Sequence, residues 1–257
     1  MLNLDARQQR QTLLPLGMVA TKPWLQAQGL SLHFLDNAVR SQTLIPLTAG
    51  VYSRQEARIS WKGIVASLQR MAVEPVHVGG LSALAIEGLS HYLSNGVMPQ
   101  VHLYCQESLP RWLGRIDIQA RFVWHGTHRL WPDSLMNERK YFREDSWQES
   151  LPPLLYACPE MAILEILNEV PTTISFEHAD ELLQGLHNLS PRKLDALLKS
   201  CRSIKAKRLF LWLASRHQHA WLKYLTAEHY ELGSGKRVIA ERGRLEPTWQ
   251  ITVPREM

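Results

Sequence analysis

The sequence has few cysteines, no long apolar run and no hydrophobic leader, and each absence excludes a class of protein. Its three cysteines, Cys105, Cys158 and Cys201, are odd in number and far apart, which argues against a disulfide framework and favours a reducing compartment. No stretch approaches the roughly 18 consecutive apolar residues of a membrane-spanning helix. The first twenty residues carry three charges and no compact apolar segment, so they do not resemble a signal peptide. We therefore expect a cytoplasmic protein.

Residue patterns of catalytic and metal sites are also missing. Residues 233–236 read GSGK, but a phosphate loop needs an earlier glycine and a Ser or Thr after the lysine, where Arg237 stands. Two histidine pairs lack cysteine or acidic neighbours at zinc-ligand spacing; these are His125 with His128 and His217 with His219. We therefore expect a protein that is not an enzyme and uses no cofactor or metal.

The segment VGGLS at 78–82 is similar to the glycine-rich turn that opens a nucleotidyltransferase domain. That chemistry needs an acidic pair downstream to hold metal ions, yet residues 90–95 and 101–105 contain neither Asp nor Glu. We interpret Gly79 and Gly80 as a tight strand-to-helix turn, and His77 as a structural or interaction residue. A nucleotide-handling protein built on a degenerate domain of this type is kept as an alternative.

The net charge of +5 is concentrated at the start of the chain. Residues 1–75 hold eight Lys and Arg against four Asp and Glu, a net of +4, whereas residues 76–150 have a net of −1. A second dense cluster, with seven basic residues and one acidic residue, lies at 192–208. Basic regions around a neutral middle favour a nucleic-acid partner.

Short-range signals predict a winged helix-turn-helix near the N-terminus. After a first helix at 5–14, Thr21 can cap a second that ends at Gly29, and Ser31 can cap a third. Two helices joined by a tight glycine-containing turn are typical of the helix-turn-helix motif. Residues 44–54 then predict two short strands that form the wing.

The third helix divides into an apolar and a polar face. Phe34, Leu35, Ala38 and Val39 share one face; His33, Asp36, Asn37 and Arg40 share the other. Asn pairs with adenine, Arg pairs with guanine, and His donates to a base or a phosphate. Asp36 would accept from cytosine or orient Arg40, and Arg54 and Arg58 would contact phosphates. An ordinary solvated helix face is the alternative.

The rest of the chain predicts a small α/β unit and then a helical region. We expect strands at 76–80, 101–105 and 121–125, and helices at 81–93 and near 109–113, with Leu81, Leu84 and Ala85 on one face of the former. Residues 144–153 are polar and then proline-rich, which favours a boundary. Further helices are expected from Pro159, at 176–186, at 191–201 behind Ser190, and at 207–217, followed by a terminal hairpin.

A second basic cluster offers another contact for DNA, RNA or an acidic partner. It consists of Lys199, Arg202, Lys205, Lys207 and Arg208. Solvated helix ends and a connecting loop are the alternative, because surface Lys and Arg are common.

Several of these segments together resemble the AbiEi antitoxin family of type IV toxin–antitoxin systems. They are the winged helix, PVHVGGLSALAIEGLSHYL at 75–93, VHLYC at 101–105 and GSGKRVIAERGRLEPTWQITVP at 233–254. The resemblance implies an autorepressor that binds inverted repeats in operator DNA. It also implies protection from a nucleotidyltransferase-like toxin, without a stable complex between the two proteins.

Carried over by position, the resemblance places His33, Asn37 and Arg40 in the groove, with Lys22 and Arg54 on phosphates. Gln42 stands where a helix-ending glycine is expected, so the exit from the helix is expected to differ.

These observations predict an α+β protein. We expect a winged-helix DNA-binding domain at 1–72, a small α/β unit at 73–150, and a mainly helical region at 151–257 that ends in a β-hairpin. A protein-interaction module, in which the C-terminal helices dock a partner, is a further alternative.

Overall fold

The structure, a computed structural model, describes residues 2–54, 58–89 and 98–257, with side chains from residue 8 onward. It has the predicted α+β architecture: a winged helix-turn-helix, a small α/β part, and a mainly helical C-terminal part that ends in a β-hairpin.

Short helices and strands alternate along the first half of the chain. In order they are α1 (Leu2–Leu13), β1 (Val19–Thr21), α2 (Lys22–Ala27), α3 (Leu32–Arg40), β2 (Leu44–Thr48), β3 (Val51–Arg54), α4 (Trp61–Met71), β4 (His77–Val78), α5 (Gly80–Ile86), β5 (Gln100–Cys105) and β6 (Arg121–Gly126). They are followed by α6 (Asp133–Met136), β7 (Phe142–Asp145), β8 (Leu154–Ala157), α7 (Pro159–Glu169), α8 (Phe176–Gly185), α9 (Pro191–Ser200), α10 (Ile204–His217), β9 (Arg244–Glu246) and β10 (Ile251–Val253).

The chain folds into two compact units. The first comprises Met1–Val76, Ser94–Trp124 and Glu144–Leu155, and the second comprises His77–Leu93, His125–Arg143 and Tyr156–Met257. The division into domains at 1–72, 73–150 and 151–257 stays a prediction.

The winged helix lies in the first unit, and its helices begin where the sequence predicts. Thr21 Oγ1 accepts from the Trp24 amide at 3.3 Å, which caps α2. After α2 the chain turns at Gly29, whose φ of +96° belongs to the left-handed region that glycine adopts without steric cost. Strand β3 lies between β1 and β2 and pairs with both in the antiparallel sense. The wing is thus the β2–β3 hairpin, as predicted.

Helix α4 packs closely against the chain that precedes β1. A Cβ atom added at Gly63 would lie 2.0 Å from the Gly17 carbonyl oxygen, so only glycine fits there. One turn later, Ser67 Oγ accepts from the Val19 amide at 2.9 Å and donates to the Gly63 carbonyl at 2.6 Å. These contacts fix the edge of the small sheet on which the helix-turn-helix rests.

The second unit is built around helices α7 and α10. Every residue of α7 from Pro159 to Leu167 is buried, and α10 is buried from Ala206 to Ala214. Helix α9 begins behind the predicted Ser190 cap and buries Leu194, Leu197 and Leu198. The terminal hairpin β9–β10 is antiparallel, as predicted.

Three predictions of secondary structure were wrong or incomplete. Near 109–113 the chain forms no α-helix but a single 3-10 turn at Leu113–Arg115, which starts only after Pro110. In α5 the buried side includes Ser82, Ala83 and Leu84, whereas Ala85 is exposed. Strands β7 and β8 were not predicted, and residues 90–93 of the predicted helix lie outside the described residues.

Candidate nucleic-acid interface

Helix α3 is fixed at both ends. At its start Ser31 Oγ accepts from the Phe34 amide at 3.2 Å. At its end Gln42 adopts a φ of +57°, and the amides of Gln42 and Thr43 donate to the Val39 and Ala38 carbonyls at 3.0 and 2.9 Å. This is the pattern that glycine usually completes, so the expected departure at the helix exit is not found.

The two faces of α3 separate as the sequence predicts. Leu35 and Ala38 are buried, while the predicted groove-facing residues His33, Asn37 and Arg40 are exposed, as is Asp36. Leu32 was not singled out from the sequence, yet its side chain is 50% exposed at the first position of the helix. The sequence could have indicated Leu32 by its position directly after the Ser31 cap, because in helix-turn-helix proteins the first residues of the recognition helix contact base edges.

Polar side chains on this surface are paired with one another. Asn37 Nδ2 lies 2.9 Å from His33 Nε2, one helical turn away. Lys22 Nζ, at the start of α2, lies 3.0 Å from Asp36 Oδ1, and this hydrogen bond raises the pKa of the lysine ammonium. The expectation that Asp36 orients Arg40 was therefore wrong, because its carboxylate binds Lys22 instead.

Pairing between Lys22 and Asp36 leaves arginine as the source of positive charge on this face. Arg40 and Arg54 have no hydrogen-bond or ion-pair partner among the residues that the structure describes. Two guanidinium groups thus remain available to an anionic ligand.

The wing lies beside the start of α2. The Lys22 amide donates to the Gly50 carbonyl in the wing turn at 2.7 Å, which fixes the two segments together. Arg54 lies at the base of the wing, where it pairs with Leu44 across the strands. The turn itself, residues 48–50, carries no charged side chain.

The second basic cluster does not form one exposed patch. Lys207 and Arg208 are only 1% and 3% exposed. The Arg208 guanidinium donates to the carbonyls of Leu232, Gly233, Gly235 and Gln250, at 2.7 to 3.1 Å. Arg208 therefore holds the C-terminal segment in place.

The remaining members of the cluster also bind within the protein. Lys205 Nζ donates to the Val170 carbonyl at 2.7 Å and to that of Asn168, at the end of α7. Lys199 pairs with Asp195 at 2.8 Å, and Arg202 Nη1 donates to the His128 carbonyl at 2.9 Å. Only Lys199 and Arg202 are exposed.

The HVGG segment is a buried structural centre of the second unit. Glu165, fully buried on α7, lies with Oε1 2.7 Å from His77 Nε2. Its Oε2 accepts from the Gly80 amide at 2.8 Å, where α5 begins, and Trp131 Nε1 lies 3.4 Å from Oε1. Gly79 and Gly80 form the predicted strand-to-helix turn. The segment at 90–95 that bears on the nucleotidyltransferase alternative lies outside the described residues.

The cysteines and histidines form no recognisable reactive centre in the described part of the chain. All three cysteines are buried and unpaired, and burial raises the pKa of Cys158 to about 12. His217 lies 2.6 Å from Asp180, while His219 contacts the Leu183 carbonyl. Over residues 2–54, 58–89 and 98–257, no three potential ligand side chains come together as a metal site. Within the same ranges, no helix has the length and apolar character needed to cross a membrane.

The fold is similar to that of a solved structure. The crystal structure of the RV2827C protein from Mycobacterium tuberculosis matches with a TM-score of 0.50 and 19% identity, over 91% of this chain and 85% of that chain. At this identity the likeness concerns the fold alone. No curated protein matches the chain.

Family comparisons cover nearly the whole sequence. Residues 5–95 match the N-terminal domain of the AbiEi antitoxin transcriptional regulators, and residues 98–254 match the AbiEi antitoxin regulators of type IV toxin–antitoxin systems. The chain belongs to the AbiEi antitoxin family of transcriptional regulators.

Proposed function

We propose that this protein represses its own operon by binding inverted repeats in operator DNA through α3, and that it counteracts a nucleotidyltransferase-like toxin without forming a stable complex with it. The observation that carries the DNA-binding part is the exposed polar face of a helix that is fixed at both ends. His33, Asn37 and Arg40 share this face. The protein acts as a regulator and not as an enzyme.

The chemistry of the face suits a major groove. The Arg40 guanidinium has the fork of donors that pairs with guanine O6 and N7, and the Asn37 amide can pair with adenine N6 and N7. His33 now contacts Asn37, so a base that recruits the amide releases the imidazole to a second base or to a phosphate. Arg54 at the base of the wing contacts the backbone, which positions the helix without reading sequence.

Lys22 and Asp36 act as a pair that DNA opens. In the free protein they neutralise each other at 3.0 Å, so the carboxylate does not repel the phosphates. In the complex Asp36 accepts from cytosine N4, and Lys22 is released to a neighbouring phosphate.

Asn37→Ala and Arg40→Ala each remove one base contact. We expect each to weaken operator binding by about 1–3 kcal/mol and to relax sequence preference at one position. Arg192→Ala is the matched control, because Arg192 is an exposed arginine on α9 outside the proposed interface. Fluorescence anisotropy with labelled operator measures the affinity of each of these three variants. Full affinity in the Asn37→Ala, Arg40→Ala double variant would refute binding through this face.

We expect Leu32 to contact a thymine. Its exposed side chain is at the N-terminal end of α3, on the same side as Asp36 one turn later, where an apolar group can contact the thymine C5-methyl. Replacing the contacted thymine by deoxyuridine should weaken wild-type binding about fourfold, the value of one buried methyl group.

Leu32→Ala should bind the two DNAs equally. Leu16→Ala is the control, because Leu16 is 47% exposed but precedes the motif. Deoxyuridine scanning that finds the same sensitivity in wild type and Leu32→Ala would rule out this contact.

A further inference from the structure

We propose that a cavity in the first unit binds a small molecule that combines an apolar, aromatic-sized body with an ammonium group, and that this ligand modulates DNA binding. The cavity measures about 320 Å³ and lies next to the helix-turn-helix. Its volume falls at the lower end of the range for small-molecule sites, about 300–1,000 Å³. Binding of the ligand is independent of the proposed function, whereas its effect on DNA rests on it.

The cavity wall is mainly apolar and partly aromatic. Its lining includes Trp24 on α2, Met71 on α4, and Leu109 and Trp112 in the segment that follows β5. Val73, also in the wall, is 96% exposed. An apolar ligand body would therefore remove from water both its own surface and surface that the protein now exposes.

Charge selects a cation for this cavity. Among the described residues that line it, Glu74 and Glu107 alone carry a charge, and both are exposed. Two carboxylates and no lining lysine, arginine or histidine attract an ammonium group and repel a carboxylate. The Trp112 ring adds the favourable interaction of a cation with an aromatic face; the Trp24 ring already has the Arg70 guanidinium 4.6 Å from its centroid and contributes apolar surface. Glu74 and Glu107, which we call the acidic rim, thus give this cavity a local negative charge in a protein of net charge +5.

The cavity touches the residues that begin the helix-turn-helix. Its lining includes Thr21, whose amide lies 3.4 Å from Met71 Sδ and whose hydroxyl caps α2. Lys22 follows directly and pairs with Asp36 on α3. A ligand that displaces Met71 or Trp24 therefore acts on the start of α2 and, through the Lys22–Asp36 pair, on the recognition helix.

Two probes of equal size and opposite charge test the site. The full-length protein is titrated with 3-phenylpropylamine and, separately, with 3-phenylpropanoate at neutral pH, and intrinsic tryptophan fluorescence is recorded. We expect saturable binding of the amine, at least about tenfold tighter than that of the carboxylate, because the Glu74 and Glu107 carboxylates attract an ammonium group and repel a carboxylate. Equal binding, tighter binding of the carboxylate, or no saturable binding of either probe would overturn the proposal.

Variants of the rim separate binding from folding. Glu74→Gln with Glu107→Gln keeps two exposed polar side chains, so the fold is retained, and it should abolish the preference for the amine. Glu149→Gln is the control, because Glu149 is exposed in the same unit but does not line the cavity. An unchanged preference in the double variant would contradict the proposed role of the rim.

Operator affinity, measured with and without saturating amine, tests the coupling. We expect a change of at least about threefold in wild type and none in the double rim variant, which should still bind operator normally. Bound amine with unaltered operator affinity would refute the regulatory part. Absence of operator binding in any condition is a different result, because it refutes the proposed function and leaves the ligand titration unaffected.

Discussion

At the residue scale, one buried acidic side chain, Glu165, holds several segments of the second unit together. Glu165 is fully buried and contacts the His77 ring, the Gly80 amide and the Trp131 indole from one carboxylate. The HVGG segment therefore serves packing and capping, and the carboxylate takes the place that an N-cap side chain usually fills.

Glu165→Ala should lower the free energy of unfolding by about 3–5 kcal/mol, because it leaves a buried histidine and a helix N-terminus without their acceptor. Urea denaturation followed by circular dichroism measures this loss. Glu181→Ala, at an exposed position of α8, should stay within about 0.5 kcal/mol of wild type. Similar small losses in both variants would show that the Glu165 centre is not structural.

Gln42 is strained by its backbone rather than by its contacts. Its φ of +57° places a side chain in the left-handed region at the end of α3, which costs a non-glycine residue roughly 1 kcal/mol. Gln42→Gly should therefore raise the melting temperature by a few degrees.

Gln28→Gly is the matched control, because Gln28 follows α2 with an ordinary φ of −84° and gains nothing from glycine. If both substitutions destabilise the protein to the same extent, the strain assigned to Gln42 is wrong.

Local signals dominate at the scale of the element, and this explains which predictions succeeded. The caps of α2, α3 and α9 connect residues three positions apart, so the sequence alone could reveal them. Arg208 instead holds carbonyls 24 to 42 positions away, which no local pattern predicts. The run of basic residues therefore suggested a binding surface, whereas in the structure Arg208 is buried and holds the C-terminal segment.

Arg208→Met should loosen the C-terminal segment, from Leu232 onward, while the helices stay folded. Four carbonyls lose a charged donor, and methionine fills the volume but cannot donate. Trypsin should then cut at the exposed Lys236 and Arg237 at least about tenfold faster. A decrease of about 1.4 kcal/mol in the free energy of local opening raises the population of the open state tenfold. Arg192→Met serves as the control, and equal cleavage rates in the two variants would contradict this role for Arg208.

At the scale of the whole molecule, the family assignment and the fold agree on a transcriptional regulator whose N-terminal region contains a winged helix-turn-helix. The sequence could predict this region because its helices, caps and turn follow one another within about forty residues. It could not predict the Lys22–Asp36 pair, whose members lie 14 positions apart, or the Glu165 centre, whose partners lie 34 to 88 positions from Glu165. The proposed cavity arises in the same way, from segments that meet only in the fold.

The most direct test of the account is the affinity of the full-length protein for the DNA upstream of its own gene. Mobility shifts are recorded at two salt concentrations against the same DNA with a scrambled sequence. We expect binding that prefers the native sequence and weakens with rising salt, since Arg54 and the released Lys22 displace counterions from phosphates. Weak binding that the scrambled DNA competes away equally well would contradict operator recognition through α3.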